Sequence, residues 1–467
     1  MTRAEYNKQP TAPHSSRTRS LHPFLSGVLV LSLVLQLGLA QSVSLDPSNE
    51  QGSRGQLTDE LLRFTTYLVG VAVLFSAPNA LRILRRCWPV LWLCTIAMLS
   101  TLWSVHPSTT LRASISLFLA VLFGFSLATF PPASTLKIVI RALAYVCMLS
   151  VGCALFIPEL GVHQATDFAQ IVHAGLWRGI LGHKVNLGMF ASITLPLLLF
   201  YRTVAFRSIL IWLVAVSSAT ACLVFAGSST GFVIAIIFSA LLASLRYAAQ
   251  VEPSIRRLPV NAVIGSYLLF FFLTAKGYLG AIIVLLGKEP DLTGRTIMWP
   301  LISDLISSHA FGRYFGYGYV AGQRDFIAPN LLATLGFTLS DPHNGYLGTL
   351  VAFGYVGAAT VFLVHCWLIR GCMRILYNAP RTSAQLAAFP ISFIAAFAYM
   401  NYAETILMHH ASILTYVTAI LAVWATDPQW RKPASRYGSV TAIPKRNFAL
   451  GGPEPASGEA PRPLYRT

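Results

Sequence analysis

Most of this chain consists of apolar runs that have, or nearly have, the length of a membrane-crossing helix. A helix needs roughly 20 apolar residues to cross the hydrocarbon core of a bilayer, and charged residues make up only 11% of this sequence. We predict twelve such runs, at residues 21–43, 61–81, 88–103, 111–130, 136–157, 186–201, 208–226, 230–245, 260–286, 344–369, 385–402 and 406–425. The sequence therefore predicts an all-α polytopic membrane protein, with its transmembrane domain at residues 21–425.

The basic residues alternate from loop to loop in the way that orients membrane proteins. If the N-terminus is inside, 24 of the 34 Lys and Arg fall in inner loops and tails, whereas the outer loops hold the other 10 with 12 of the 17 acidic residues. Lys and Arg concentrate on the cytoplasmic side of a membrane. We therefore expect a cytoplasmic N-terminal tail at 1–20 and a disordered cytoplasmic tail at 426–467.

The net charge of +17 does not indicate a nucleic-acid partner. Nucleic-acid-binding proteins gather their cations on one face, but here the cations are spread over separate short loops. The predicted outer loops contain neither a Cys-x-x-Cys pair nor an Asp-x-Asp motif. We therefore expect a lipid bilayer as partner, and no nucleic acid, metal ion or cofactor.

Two predicted outer loops, at residues 158–185 and 287–343, are longer than a connection between helices requires. Long ordered loops are usually functional. The second loop precedes the tenth span, and its residues 297–307 have a weak amphipathic-helix pattern that would lie along the membrane surface. Residues 311–319 combine glycines with aromatic residues, which suits either packing against sugar rings or an interfacial aromatic belt.

The junction between the long loop and the tenth span carries a histidine and an asparagine side by side. Asp341 suits the N-cap of the following helix and Pro342 suits its first position. His343 would then lie in the first turn, where the positive end of the helix dipole favours a neutral imidazole that can accept a proton. The alternative is a capped membrane helix whose histidine lies in the interface.

Cations from both outer loops are candidates for binding an anion. Arg178 and Lys184, with Asn186, come from the shorter loop, and Arg295 and Arg313 come from the longer one. Guanidinium groups and helix N-termini both suit a phosphate or pyrophosphate. Each Arg taken alone is better explained as an interfacial side chain or a salt-bridge partner, and only their convergence on the side of His343 favours an anion site.

Three segments together resemble the superfamily of O-antigen ligases and Wzy-type polysaccharide polymerases. His343-Asn344, followed after nine residues by Gly354-x-x-Gly357, looks like its histidine motif. Residues 177–188 are similar to its second outer motif, and residues 292–299 resemble the start of the long loop in its exopolysaccharide-polymerase branch. Where the family often has Ser-Arg or Ser-Lys after the seventh span, this chain has Ser228-Ser229.

The resemblance implies that the chain polymerises polyprenyl-pyrophosphate-linked oligosaccharide repeat units into exopolysaccharide or O-antigen. The reaction would be a metal-independent, inverting glycosyl transfer at the outer face of the bacterial inner membrane. His343 would be the catalytic residue, and the substrate-binding residues would be Arg178, Lys184, Asn186, Arg295, Arg313 and Asn344. Arg295 or Arg313 would replace the cation missing near Ser229. A chain-length regulator or a flippase would be a protein partner.

Two alternatives remain open from the sequence. An O-antigen ligase uses the same chemistry but passes the glycan to lipid A core or to a protein hydroxyl. A secondary transporter or a flippase for lipid-linked sugars has the same number of spans and the same charge pattern. The scarcity of ionisable residues within the predicted spans argues against the transporter.

Overall fold

The computed structural model describes residues 22–39, 52–166, 173–276, 295–335, 342–409 and 412–428, and these residues are almost entirely helical. Their β structure is limited to one isolated antiparallel bridge between Val162 and Trp177. The all-α prediction is therefore confirmed for this part of the chain. The predicted tails, at 1–20 and beyond residue 428, lie outside the described residues.

The helices follow the apolar runs of the sequence. They are α1 (Pro23–Val34), α2 (Gly52–Phe75), α3 (Ala80–Arg86), α4 (Trp88–Leu99), α5 (Pro107–Leu127), α6 (Pro132–Phe156), α7 (Lys184–Phe200), α8 (Ile209–Phe225), α9 (Ser229–Gln250), α10 (Arg257–Ala275), α11 (Arg295–Ser308), α12 (Ala310–Phe315), α13 (Ala328–Leu335), α14 (Gly345–Asn378), α15 (Phe389–Ala403) and α16 (Ile413–Thr426). Shorter turns lie at Leu35–Leu39, Ser100–Leu102, Pro158–Gly161, Gly179–Leu181, Arg202–Ala205, Gly322–Ile327, Arg381–Ser383 and Ala384–Ala387.

Several of these helices are suited to crossing a bilayer. Among the described residues, five helices are long and apolar enough, and a sixth span results if Leu61–Phe75 and Ala80–Arg86, which are bent by 103°, are counted as one. Six shorter apolar helices of 10–17 residues coincide with the other predicted spans. The chain is thus a multi-pass membrane protein, and the number of twelve spans stays a prediction.

The helices pack around one extended apolar core. Helix α7 lies against α8 and α9, and α5 lies against α2 and α16. Glycines allow the closest of these approaches: a Cβ on Gly188 would lie 2.4 Å from Cβ of Ser228, and a Cβ on Gly231 would lie 2.8 Å from the carbonyl oxygen of Gly188. The N-terminal ends of α7 and α9 are therefore brought together, at the end of the bundle that is predicted to face outward.

Helix α14 has 34 residues and is broken near its start. At about 1.5 Å per residue it would be roughly 50 Å long, which exceeds the hydrocarbon core of about 30 Å. The break falls at Gly354, whose φ of 60° and ψ of −166° are non-helical. A Cβ at this position would lie 2.3 Å from the carbonyl carbon of Tyr314. The first glycine of the family motif therefore separates the turns that follow His343 from the long remainder of the helix.

The break exposes two carbonyl groups, and the long loop binds them. The amide of Tyr317 donates to the carbonyl of Val351 at 2.9 Å, and the amide of Gly318 donates to that of Ala352 at 3.2 Å. Gly316, with φ of 74°, approaches so closely that a Cβ would lie 2.4 Å from the carbonyl carbon of Ala352. Residues 311–319, the glycine-rich segment, are thus fixed to α14 by backbone hydrogen bonds.

The opposite end of α14 is held by a fully buried cation. The guanidinium group of Arg256 donates to the carbonyls of Leu376 at 3.2 Å and Tyr377 at 3.4 Å, and also to that of Ala379. A cation stabilises the negative end of a helix dipole. Both ends of α14 therefore have defined partners, which fixes its position in the bundle.

We expect Gly354→Ala to destabilise the protein by roughly 3–5 kcal/mol, because a Cβ would both strain a positive φ and collide with backbone atoms. The measurement is the Tm of the purified protein in detergent. Gly265→Ala, within α10, is the matched control, since nothing lies within 4 Å of its Cβ position. Equal Tm values for the two variants would contradict the role of Gly354.

Candidate active site

His343 and Glu404 form a hydrogen-bonded pair at the start of α14. Nδ1 of His343 lies 2.7 Å from Oε2 of Glu404. The side chain of Glu404 is 7% exposed and that of His343 is 31% exposed, so the carboxylate lies behind an imidazole that solvent can reach. An ionised carboxylate only accepts hydrogen bonds, so with Glu404 ionised the proton of this bond lies on Nδ1, and a neutral ring then carries its lone pair on Nε2.

Helix α14 begins later than the sequence predicts. Asn344 is its N-cap, and the side-chain oxygen accepts hydrogen bonds from the amides of Tyr346 and Leu347, both at 3.0 Å. The prediction that Asp341 caps the helix and that His343 lies in its first turn is therefore wrong. His343 therefore precedes the helix instead of lying in its first turn, and its ring pairs with the Glu404 carboxylate.

The residue before the cap has an unusual backbone. His343 has a φ of 47°, in the left-handed region that non-glycine residues seldom occupy. Two contacts with the loop after α15 hold it there: the bond from its imidazole to Glu404, and the bond from the amide of Asn344 to the hydroxyl of Thr405 at 3.2 Å. These tertiary bonds, which the local sequence does not encode, explain why the helix start is displaced.

The loop of residues 404–409 is fixed from its other side as well. The hydroxyl of Tyr319, in the glycine-rich segment, donates to the carbonyl of Met408. The side chains of Gln323 and Thr405 both pack against Gly348, one turn into α14. A Cβ there would lie 2.6 Å from Nε2 of Gln323 and 2.8 Å from Cγ2 of Thr405. The half-buried Gln323 side chain therefore lies close to the residues that hold the His343 pair.

The predicted amphipathic helix is confirmed as α11, which contains residues 297–307. Its buried face consists of Met298, Ile302 and Ile306, packed against Val351 and other apolar residues. The indole nitrogen of Trp299 donates to the carbonyl of Pro342 at 3.0 Å. Helix α11 thus supports the backbone immediately before His343.

The aromatic residues of the glycine-rich segment pack mainly on protein rings. Tyr317 stacks on Phe326 with centroids 3.8 Å apart, and Tyr319 stacks on Phe353 at 5.8 Å. Phe311 and Phe315 meet Trp103 edge to face. Both rings remain substantially exposed, which leaves the choice between an interfacial belt and a sugar-packing surface open.

The two predicted cations of the long loop differ in what the structure shows. The guanidinium group of Arg313 donates to the carbonyl of Ser307, within its own segment, and its Nε atom is buried. Arg295 is the first residue of α11, and its side chain lies outside the described part of the chain. The phosphate-binding role of Arg313 and Arg295 stays a prediction.

Arg178 is anchored on the segment that precedes it in the shorter loop. Its guanidinium group donates to the carbonyls of Glu159 at 2.7 Å and Leu160 at 3.0 Å, and its amide donates to Gly161 at 2.9 Å. The side chain is partly exposed. These bonds fix the plane of the guanidinium group, and its predicted contact with pyrophosphate is untested.

The N-terminus of α7 carries Lys184 and Asn186, and histidines satisfy its first amides. Nδ1 of His183, the N-cap, accepts from the amide of Val185 at 3.2 Å, and Nε2 of His163 accepts from the amide of Lys184 at 3.2 Å. Lys184 and Asn186 are both partly exposed. The side chains of this turn therefore remain candidates for binding an anion, while two of its backbone N–H groups are already occupied.

The N-terminus of α9 adjoins that of α7 and is more open. Ser228 caps α9 through a bond from the amide of Gly231 at 3.2 Å, and Ser229 is exposed. The amide of Trp177 donates to Phe225 at 3.0 Å, and the two rings stack at 4.6 Å. The position where the family often carries a cation therefore lies beside the segment that carries Arg178.

Three histidine rings cluster beside this pair of helix ends. The ring centroids of His163, His173 and His183 lie 5.5–5.7 Å apart. Burial, together with the neighbouring imidazoles and Lys184, lowers the pKa of His183 to about 4, and Glu404 opposes this shift. Among the described residues, no group of three or more His, Cys, Asp or Glu side chains is arranged to hold a metal ion.

The charge of Glu404 acts on His183 at the start of α7, so it relates the His343 pair to the predicted anion-binding loop. Glu404 is thus within electrostatic range of the α7 N-terminus as well as bonded to His343. Sequence reasoning did not identify Glu404 or His163. A carboxylate between two apolar runs, 385–402 and 406–425, was the available signal for Glu404.

Residues 213–362 match the model of the family described as O-antigen ligase, Wzy_C. The matched region extends from α8 through the first half of α14, and includes His343, Asn344 and the motif glycine Gly354. The comparison with curated proteins gives no match. The family match confirms the resemblance that the sequence motifs indicate.

We expect Asn344→Ala to lower the free energy of unfolding by about 1–2 kcal/mol, because two amides of α14 lose their acceptor. Asn344→Ser, which retains a capping oxygen, should lose less. Both are measured as changes in Tm, with Asn378→Ala at the far end of α14 as control. If Asn344→Ala melted like the control, the cap would not be a stabilising contact.

Proposed function

We propose that this chain, whose residues 213–362 match the O-antigen ligase family, polymerises polyprenyl-pyrophosphate-linked oligosaccharide repeat units. The transfer would take place at the outer face of the inner membrane, would need no metal ion and would invert the anomeric centre. The observation that carries the proposal is the distance of 2.7 Å between Nδ1 of His343 and Oε2 of the buried Glu404. His343 lies within the matched region, and Glu404 follows it in the sequence.

In this mechanism Nε2 of His343 is the general base. The acceptor hydroxyl attacks the anomeric carbon of the donor sugar while its proton passes to Nε2. The bond from that carbon to the pyrophosphate oxygen breaks, and polyprenyl pyrophosphate leaves with the bonding electrons. Glu404, which accepts from Nδ1, stabilises the imidazolium as it forms. A positioned base contributes roughly 10²–10⁴-fold to a rate.

The leaving pyrophosphate would be bound at the paired N-termini of α7 and α9. Lys184 and Asn186 lie on the first turn of α7, and the contact of Gly188 with Ser228 brings the start of α9 beside it. Positive helix ends and cations stabilise a leaving group that already carries charge. Arg178, on the adjoining segment, would supply a guanidinium group, and Arg295 or Arg313 would supply the further cation.

The description of the matched family favours a second candidate, an O-antigen ligase that transfers glycan to lipid A core or to a protein hydroxyl. The proposed chemistry is the same, and only the acceptor differs. Residues 292–294, on which the preference for a polymerase partly rests, lie outside the described residues. The scarcity of ionisable residues within the predicted spans argues against a transporter or flippase. A chain-length regulator or a flippase remains a proposed partner.

We expect His343→Gln and His343→Ala to abolish product formation in cells, because neither side chain can accept a proton at neutral pH, while the protein still accumulates in the membrane. The measurement is the length of the lipid-linked glycan. Loss of a polymerase leaves single repeat units on the lipid, and loss of a ligase leaves long chains on it.

His106→Gln is the matched control, since His106 is exposed and bonds to Ser108 and Thr109 near the start of α5. It should leave the product unchanged. Wild-type product from a stably expressed His343→Gln variant would contradict general-base catalysis by His343.

A further inference from the structure

The cluster of three histidines has no part in the mechanism above, although it lies beside the proposed pyrophosphate site. The side chain of His163 is 1% exposed. The cluster adjoins the start of α7, which carries Lys184. The hydrogen bonds of His163 and His183 to that helix start indicate what the cluster does.

His163 belongs to a short paired segment that also carries Arg178. Its amide donates to the carbonyl of Leu176 at 2.9 Å, and its carbonyl accepts from the amide of Gly175 at 2.9 Å. The bridge between Val162 and Trp177 continues this pairing. The backbone of His163 is thus fixed to the residues that lead directly into Arg178.

The side chain of His163 reaches the other cation-bearing segment. Its Nε2 atom accepts from the amide of Lys184 at 3.2 Å. One imidazole therefore joins the segment of Arg178 to the first turn of α7. His183, through the bond from the amide of Val185 to its Nδ1, closes the same turn from within.

Both bonds require neutral rings. A hydrogen bond from an amide needs a lone pair on the accepting nitrogen, and a protonated imidazole has none. The charged and titratable groups facing His183 are His163, His173, Lys184 and Glu404. Three of these four disfavour a positive charge on His183, and only the Glu404 carboxylate favours it. The surroundings therefore keep the ring in the accepting form.

We propose that His163 is a positioning residue for the lipid pyrophosphate: as a neutral acceptor it latches the Arg178 segment to the first turn of α7, and so sets the spacing of Arg178 and Lys184. A proton on the accepting Nε2 would break this bond. The proposal rests on the pyrophosphate site of the proposed function, and names the residue that gives that site its geometry.

The direction of the pH effect follows from the lowered pKa of His183. A group that the folded protein keeps neutral contributes its full stabilisation above its ordinary pKa, near 6.5. The contribution declines as the pH falls below that value, through a folded-state pKa of about 4. The bond of His183 to the amide of Val185, which closes the turn that the latch holds, should therefore weaken between pH 6.5 and 4.

The test measures binding of dodecyl pyrophosphate to the purified full-length protein by titration calorimetry. His163→Leu fills similar space without an acceptor, and should raise Kd about tenfold, the usual scale for losing a buried hydrogen bond. His163→Gln, whose side-chain oxygen can take the place of Nε2, should bind within about twofold of the wild type. His106→Leu is the control for removing an exposed imidazole.

The pH dependence separates a latch from general packing. The wild-type Kd should rise more steeply between pH 6.5 and 4 than that of a His163→Gln/His183→Asn double variant, whose acceptors do not titrate. Protonation of the ligand affects both proteins equally, so the ratio of the two Kd values reports the latch.

Three results would overturn the proposal. They are an unchanged Kd for His163→Leu, a loss that His163→Gln does not restore, and a Kd ratio that is constant with pH. Absence of binding by the wild type would refute the pyrophosphate site itself and the latch with it. If the wild type binds as expected but forms no glycan product, the proposed transfer fails while the latch stands.

Discussion

The hydrogen bond between Glu404 and His343 is the contact on which the arrangement of the site depends. It joins the loop after α15 to the residue before α14, two parts of the chain that are far apart in sequence. The bond holds His343 at a positive φ, which displaces the start of α14 to Gly345 and makes Asn344 its cap. In the proposed mechanism the same bond holds the proton on Nδ1, so that Nε2 can accept one. Backbone geometry and the proposed proton transfer thus depend on one contact.

The surroundings make this pair rigid. Helix α11 supports the carbonyl of Pro342 through Trp299, and the glycine-rich segment holds Met408 through Tyr319. That segment is itself bound to the carbonyls exposed by the break at Gly354. The motif glycine therefore acts at a distance from the histidine, by letting the long loop dock on the helix that His343 precedes. A base held in this way loses little freedom when a substrate arrives, which favours reaction.

The second half of the site follows from helix packing. Gly188 permits α7 and α9 to meet at their N-terminal ends, and the segment with Arg178 lies against the end of α8 through Trp177 and Phe225. The N-terminal ends of α7 and α9 and the segment of Arg178 thereby lie close together, at the end of the bundle that is predicted to face outward. In the proposed reaction these positive groups stabilise the charge of the leaving pyrophosphate. At the start of α9, this chain has serine where the family often has a cation.

The sequence was sufficient to predict the features that local pattern determines. Apolar periodicity predicted the helices, and the spacing of His343, Gly354 and the 177–188 segment predicted the superfamily. It failed where distant residues decide the outcome. Asp341-Pro342 is as good a start signal as Asn344, and only the bonds from Glu404 and Thr405 select between them.

The same limit applies to His163 and to Arg313. A lone histidine gives no sign of the amide it will accept from 21 residues later. The charge of Arg313 makes it a candidate anion ligand in the sequence, but does not indicate its bond to the carbonyl of Ser307. Pairing between separate helices and loops, which periodicity does not encode, decides both.

The most direct test of the central claim is a double-mutant cycle on His343→Gln and Glu404→Gln, with the rate of glycan transfer measured for each single variant and for the double variant. If Glu404 acts through His343, the double variant should be no slower than His343→Gln alone, because the carboxylate has no imidazolium left to stabilise. Rate losses that multiply, as for two independent residues, would contradict the account.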